Sequence, residues 1–226
     1  MKKLLTLMMV VMVSLSSFAQ KDVTKFLGIP VDGTVSEMKQ KLIAKGFKVA
    51  SYGHKNQLEG TFNGREVFVM PIANKGKVWR IAVGDKQSSS ETDIRIRFNN
   101  LCRQFYKNKK YEGIVAENDC YIPENEDISY EMTVNNKRYE AAFYQIPDTA
   151  ILYKAMDETV LQKYTNEQIK NATPEQKEDI NNIIKQVVDD ICSKKTVWFM
   201  IAHDYGQYTI QMFYDNGYNQ DDGEDL

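Results

Sequence analysis

A chain of 226 residues with 29 Lys and Arg against 31 Asp and Glu has a formal net charge of −2 at pH 7. That balance supplies no cationic excess for neutralising phosphates, which argues against a nucleic-acid partner. Three cysteines are too few for a disulfide-built scaffold and odd in number, so at most one intramolecular disulfide can form.

The first residues speak to compartment. Lys2 and Lys3 form a positive start, and residues 4–15 are an apolar run broken only by Thr6 and Ser14. Ser17-Phe18-Ala19 then places small residues at the −3 and −1 positions before Gln20. This pattern predicts a signal peptide over residues 1–19, cleaved after Ala19, and a mature protein that is periplasmic or secreted. The run is shorter than the roughly 20 apolar residues a spanning helix needs. No later segment is apolar enough to span, so no transmembrane segment is expected. No cysteine follows the cleavage site, which argues against a lipid anchor. The mature length suits one large domain or two small ones.

The element signals begin with Thr34-Val35-Ser36-Glu37, a capping box. Met38 and Leu42 follow on one helical face, and Gly46 offers a left-handed stop. Strands are predicted over 47–52 and 58–62. Asn63-Gly64 turns the chain into a strand over 66–72, and Lys75-Gly76 into one over 77–83. A plain two-residue turn there would pair Phe68 with Val83, Met70 with Ile81 and Ile72 with Trp79 as one apolar face. Ser90 opens a helix with Ile94, Phe98, Leu101, Cys102 and Phe105 at helical spacing. Its Glu91–Arg95 and Asp93–Arg97 pairs are four apart in the favourable orientation. Segments 128–134 and 137–145 flank Asn135-Asn136 and read as a hairpin. A helix is expected over 151–163. Thr173-Pro174-Glu175-Gln176 caps a longer helix whose stripe runs Ile180, Ile183, Ile184, Val187, Val188, Ile191 and Cys192. Lys194 and Lys195 close it, matching the helix dipole. Strands over 196–202 and 207–214 make a last hairpin around Asp204-Tyr205-Gly206. The first of them is apolar at nearly every position, which predicts a mid-sheet strand with both faces covered.

Hairpins dominate, so the expected class is α+β, a mainly antiparallel sheet built from hairpins with helices packed against it. The expected division is an N-terminal α+β half over 20–110, a C-terminal α+β half over 111–215, and a loose acidic tail over 216–226.

Candidate chemistry is sparse. The only histidines, His54 and His203, fall at predicted hairpin turns. Cys102 and Cys192 lie on apolar stripes, where a free cysteine is normally an inert small hydrophobe. Cys120 is in a predicted loop and is the candidate reactive thiol; with His203 and Asp204 it could form a nucleophile–base set. No cysteine-protease signature surrounds it. No zinc-like spacing of Cys and His occurs, so no metal or other cofactor is expected. Asp215, Asn219, Asp221 and Asp225 could wrap Ca²⁺, but the required spacing and distal Glu are missing. The hairpin at Asn135-Asn136 would set Glu131 directly opposite Glu140. Paired carboxylates are how glycosidases are built. The competing reading is a solvated pair neutralised by Arg138.

Phe26-Leu27-Gly28-Ile29-Pro30-Val31-Asp32-Gly33-Thr34 near the start, and Asp215-Asn216-Gly217-Tyr218-Asn219 with Gly223-Glu224-Asp225-Leu226 at the end, resemble an uncharacterised family of exported Bacteroidetes proteins. Residues 91–105 and 128–144 fit the same group. The resemblance implies export and no particular activity. The order of one helix and then four strands also resembles β-lactamase-inhibitor-protein-like domains, a likeness of fold only. The functional expectation is an exported, soluble, non-catalytic binding module whose partner is a protein or an envelope component. The alternative is a periplasmic hydrolase using Glu131 and Glu140.

Overall fold

The computed structural model describes residues 21–220. The expected signal peptide over 1–19, and Asp221 and Asp225, lie outside the described residues. The chain enters through a small antiparallel ribbon, β1 (Lys25–Phe26) and β2 (Ile29–Pro30). Thr34 then caps α1 (Val35–Ala44): its hydroxyl accepts from Glu37 N–H at 3.3 Å, and its own N–H donates to Glu37 Oε2 at 2.8 Å. Met38 and Leu42 bury this helix's inner face.

A meander follows: β3 (Lys48–Val49), β4 (Leu58–Phe62), β5 (Arg65–Asn74) and β6 (Lys77–Asp85). Both tight turns need left-handed backbone at two successive positions, and they have it, with φ of 48° and 73° at Asn63-Gly64 and 47° and 83° at Lys75-Gly76. α2 (Glu91–Lys107) is capped by Ser90 and buries Ile94, Phe98, Leu101, Cys102 and Phe105. The chain continues through β7 (Tyr111–Gly113), a 3₁₀ turn (Glu117–Asp119), α3 (Ile128–Thr133) and β8 (Glu140–Gln145). Three helices come next: α4 (Thr149–Leu161), α5 (Asn166–Lys170) and α6 (Pro174–Ser193). The strands β9 (Thr196–Asp204) and β10 (Gln207–Asp215) complete the order.

The main sheet has eight strands in the order β3-β4-β5-β6-β10-β9-β8-β7, antiparallel throughout. With its helices it is an α+β fold. Residues 20–110 and 111–215 each contribute four strands to this one sheet, and β6–β10 is the pairing that joins them. One face carries the core. α1 lies over β5 and β6, and α2 over β10, β9 and β7. Phe105 stacks on Phe143 at 4.6 Å and Phe98 meets Phe199 at 5.1 Å. The opposite face is only partly covered: α6 packs with α4 and reaches β8, where Cys192 touches Tyr144.

Three expectations are corrected. Trp79 sits at a bulge, so the β5–β6 register shifts by one: Ala73 pairs with Val78, but Ile72 with Arg80 and Val69 with Val83. The bulge lets Val78 and Ile81, three apart, bury on one side with Val67, Val69 and Pro71. Phe68, Met70 and Ile72 therefore face the less covered side, not the core. β9 is interior, yet only Val197, Phe199 and Ile201 are fully buried; Trp198, Met200 and Ala202 are half-buried. Finally, the segment expected as a strand over 128–134 is the helix α3, Ile128–Thr133. Asp127 Oδ1 accepts from Tyr130 N–H at 2.8 Å, and Ile128 and Met132, four apart, share the inward side.

The end of the chain is not loose as far as it is described. Asn216 is fully buried; its side chain donates to Val31 O at 2.7 Å and its N–H to Trp79 O at 2.6 Å. Asn219 donates to Asp32 Oδ1 and Val78 O at 2.8 and 2.9 Å. A Cβ on Gly217 would lie 2.8 Å from Lys194 Cα, so only glycine lets the chain pass so close.

Asp22 and Lys195 form an ion pair at 2.5 Å with side chains 6% and 4% exposed. Removing one partner strands a buried charge, which costs about 3–5 kcal/mol. Urea denaturation of Asp22→Ala should show a loss of that order. The double variant Asp22→Leu/Lys195→Met should recover part of it: an apolar pair removes both charges together, but the Asp148 N–H, which donates to Asp22 at 2.6 Å, loses its acceptor.

Candidate functional site

A cleft of about 1040 Å³ opens where the N-terminal ribbon, the β4–β5 turn, the end of α2 and the end of β8 converge. Its floor is apolar: Leu101 and Phe105 from α2, Phe62 from β4, Met212 and Tyr214 from β10. Tyr214 is deeply placed, and burial together with the neighbouring Tyr111 pushes its hydroxyl well above the usual value.

The wall is set by Gln145. Its carboxamide accepts from Lys25 N–H at 2.8 Å and donates to Lys25 O at 2.6 Å, and it lies 3.2 Å from the Tyr111 hydroxyl. It thus supplies to the free edge of β1 what another strand would, and holds the ribbon beside β8. The cleft's two carboxylates are engaged: Asp22 with Lys195, and Asp148 with the Ala150 and Ile151 N–H groups at 2.9 and 3.2 Å, capping α4. Lys25, Lys109 and Lys110 are exposed at the rim. The lining is therefore locally cationic although the whole chain is not.

The residues singled out from the sequence lie elsewhere. Glu131 is on α3 and accepts from Asn135 Nδ2 at 3.0 Å. Glu140 begins β8, pairs with Met200 of β9, and meets Arg138 at 3.0 Å. They are not cross-strand partners, because the segment carrying Glu131 is a helix. Cys120 is 7% exposed, against Cys102, rather than open in a loop. His203 stacks on Tyr208 at 4.9 Å and accepts from Gly206 N–H at 3.1 Å, beside the exposed Asp204. Tyr208 is bonded to Ser89, so His203 sits near the start of α2. Cys120 lies by Cys102, about 18 Å further along that helix at 1.5 Å per residue. The structure does not bring Cys120 and His203 together. Asp215 and Asn219 are committed to protein partners, and among the described residues no cluster of His, Cys, Asp or Glu could hold a metal.

Sequence reasoning also missed how the chain between β7 and α3 is held. One stripe of α2 bonds to it rung by rung in antiparallel sense. Glu91 Oε1 accepts from Ile128 N–H at 2.9 Å, and Arg95 donates to Glu126 O at 2.5 Å. Asn99 exchanges two bonds with the Ile122 backbone, both 2.8 Å. Cys102 Sγ donates to Cys120 O at 3.5 Å, and Tyr106 to Val115 O at 2.7 Å. The spacing of 91, 95 and 99 marks a polar helix face, but nothing in it says that the partners are backbone.

No family model, no curated protein and no solved structure matches the chain. Among the described residues no helix is long and apolar enough to cross a membrane. Fold and cleft thus define an α+β protein with a cationic-rimmed groove.

Near α3, Lys137 and Tyr139 both bond to Glu126 and hold its carboxyl below the usual carboxylate range. A depressed folded-state pKa adds stability above the unfolded value near 4.3, and that stability is lost as pH falls. Glu126→Gln should therefore lower the melting temperature at pH 7, and the gap from wild type should close as pH drops through the Glu126 titration. A constant gap down to pH 3 would mean that the carboxylate charge is not what stabilises this corner.

Proposed function

We propose that the mature protein is an exported, non-catalytic binding module whose cleft takes an acidic, partly apolar segment of a partner protein. One observation carries this reading: an apolar floor of Leu101, Phe105 and Met212 under an exposed rim of Lys25, Lys109 and Lys110. An aliphatic or aromatic side chain of the partner would gain roughly 25 cal/mol per Å² of apolar area placed on that floor. Acidic side chains would meet the ammonium groups at the rim, where charge mainly aids encounter and selects partners. Export is supported by the positive, apolar and small-residue pattern before Gln20 and by the resemblance to exported Bacteroidetes proteins.

Fluorescence anisotropy against peptides that vary in charge and apolar content tests it. Acidic-apolar peptides should bind, more weakly as salt rises. The double variant Lys109→Glu/Lys110→Glu, which alters only exposed positions, should weaken binding at least tenfold. Equal binding of basic peptides, or no effect of the double variant, would contradict the reading.

A further inference from the structure

We infer that Cys102 and Cys120 form the protein's intramolecular disulfide, a covalent rung that fastens the chain between β7 and α3 onto α2. The two residues are already partners. Cys102 Sγ donates to Cys120 O at 3.5 Å, and the two thiols are close enough to shift one another's ionisation. Both are buried, Cys102 completely and Cys120 to 7% exposure. They continue the line of Glu91, Arg95 and Asn99, whose bonds, with that of Tyr106, hold the segment against α2 on both sides of this point. Tyr106 completes the enclosure. It bonds to Val115 O and packs on Gly113, where a Cβ would lie 2.4 Å from its ring. The third cysteine is out of reach: Cys192 is on α6 beside Tyr144, on the far face of the sheet from α2.

The chemistry is thiol–disulfide exchange with a disulfide oxidant. The neighbouring Cys102 holds the Cys120 thiol below its usual range, while Cys120 and burial push Cys102 up. Cys120 is also the more exposed of the two, so its thiolate attacks first. Cys120 bonds to one sulfur of the oxidant and the other sulfur leaves as a thiol. Cys102 then gives up its proton and displaces the second thiol, forming the Cys102–Cys120 bond. Two protons and two electrons pass from the protein to the oxidant, which ends as two thiols.

The test uses the full wild-type chain, fully reduced and then equilibrated with oxidised glutathione at pH 8. Peptide mapping without reductant should show Cys102 joined to Cys120, with Cys192 free or carrying glutathione. The oxidised form should melt about 5–10 °C above the reduced form, as expected for closing a loop of this length. The variant Cys192→Ala should give the same link and the same gain. A link involving Cys192, glutathione left on Cys120 with Cys102 unpaired, or both thiols still free would each overturn the assignment.

Discussion

The structure depends on what happens where β6 meets β10. Only that pairing connects β3–β6 with β7–β10 in the eight-stranded order. Arg80 and Asp215 lie across it, joined by two bonds of 2.6 and 2.7 Å, and Trp198 donates to the same carboxylate at 3.0 Å. Arg80 also stacks on Trp79 at 4.2 Å and Phe213 at 4.8 Å. A guanidinium suits this place because its flat fork can bind a carboxylate and lie on an aromatic ring at once, which an ammonium cannot do. The side chains are 20% and 11% exposed, so solvent screens them far less than a surface pair. The bulge at Trp79 belongs to the same arrangement. It puts Arg80 on the less covered face opposite Asp215 and keeps Ile81 in the core.

The site follows from that join. With β10 central, Met212 and Tyr214 reach the same cleft as Leu101 and Phe105 of α2. The chain just beyond Asp215 turns back to Val31, Asp32 and Val78, so the exit of the N-terminal ribbon is held by Asn216 and Asn219. The ribbon in turn carries Lys25 and Leu27 to the cleft mouth. The cleft is thus made by segments far apart in sequence, held together by the β6–β10 seam and the tail.

What could be read from the sequence was local. Capping boxes at Thr34 and Thr173, the Ser90 cap and the turns at Asn63-Gly64 and Lys75-Gly76 each need only neighbours a few residues away, and each formed as expected. The box at Thr165-Gln168 is equally plain and could have been found. The failures came where tertiary partners decide. Ile128 and Met132 fit a strand by alternation and a helix by spacing; the Asp127 cap and Glu91 settle it as a helix, which removed the Glu131–Glu140 pairing. A bulge leaves no composition signal, so the β5–β6 register slipped by one. Asp215 to Asn219 are polar and read as solvated, but they are bonded to groups far away in sequence: Asp215 to the Arg80 and Trp198 side chains, Asn216 to the Val31 and Trp79 carbonyls, Asn219 to Asp32 and Val78. No part of the cleft was legible, since its floor residues were assigned to the core and its lysines looked like ordinary surface charge.

Native-state hydrogen exchange tests most directly whether the β6–β10 seam makes one cooperative body of the two halves. Amides of β6 and β10, such as Val83 and Met212, should exchange only through global unfolding, with β5 and β9 at the same opening free energy. Two sets of strands, β4–β6 and β8–β10, each exchanging at its own lower free energy and with its own denaturant dependence, would contradict it.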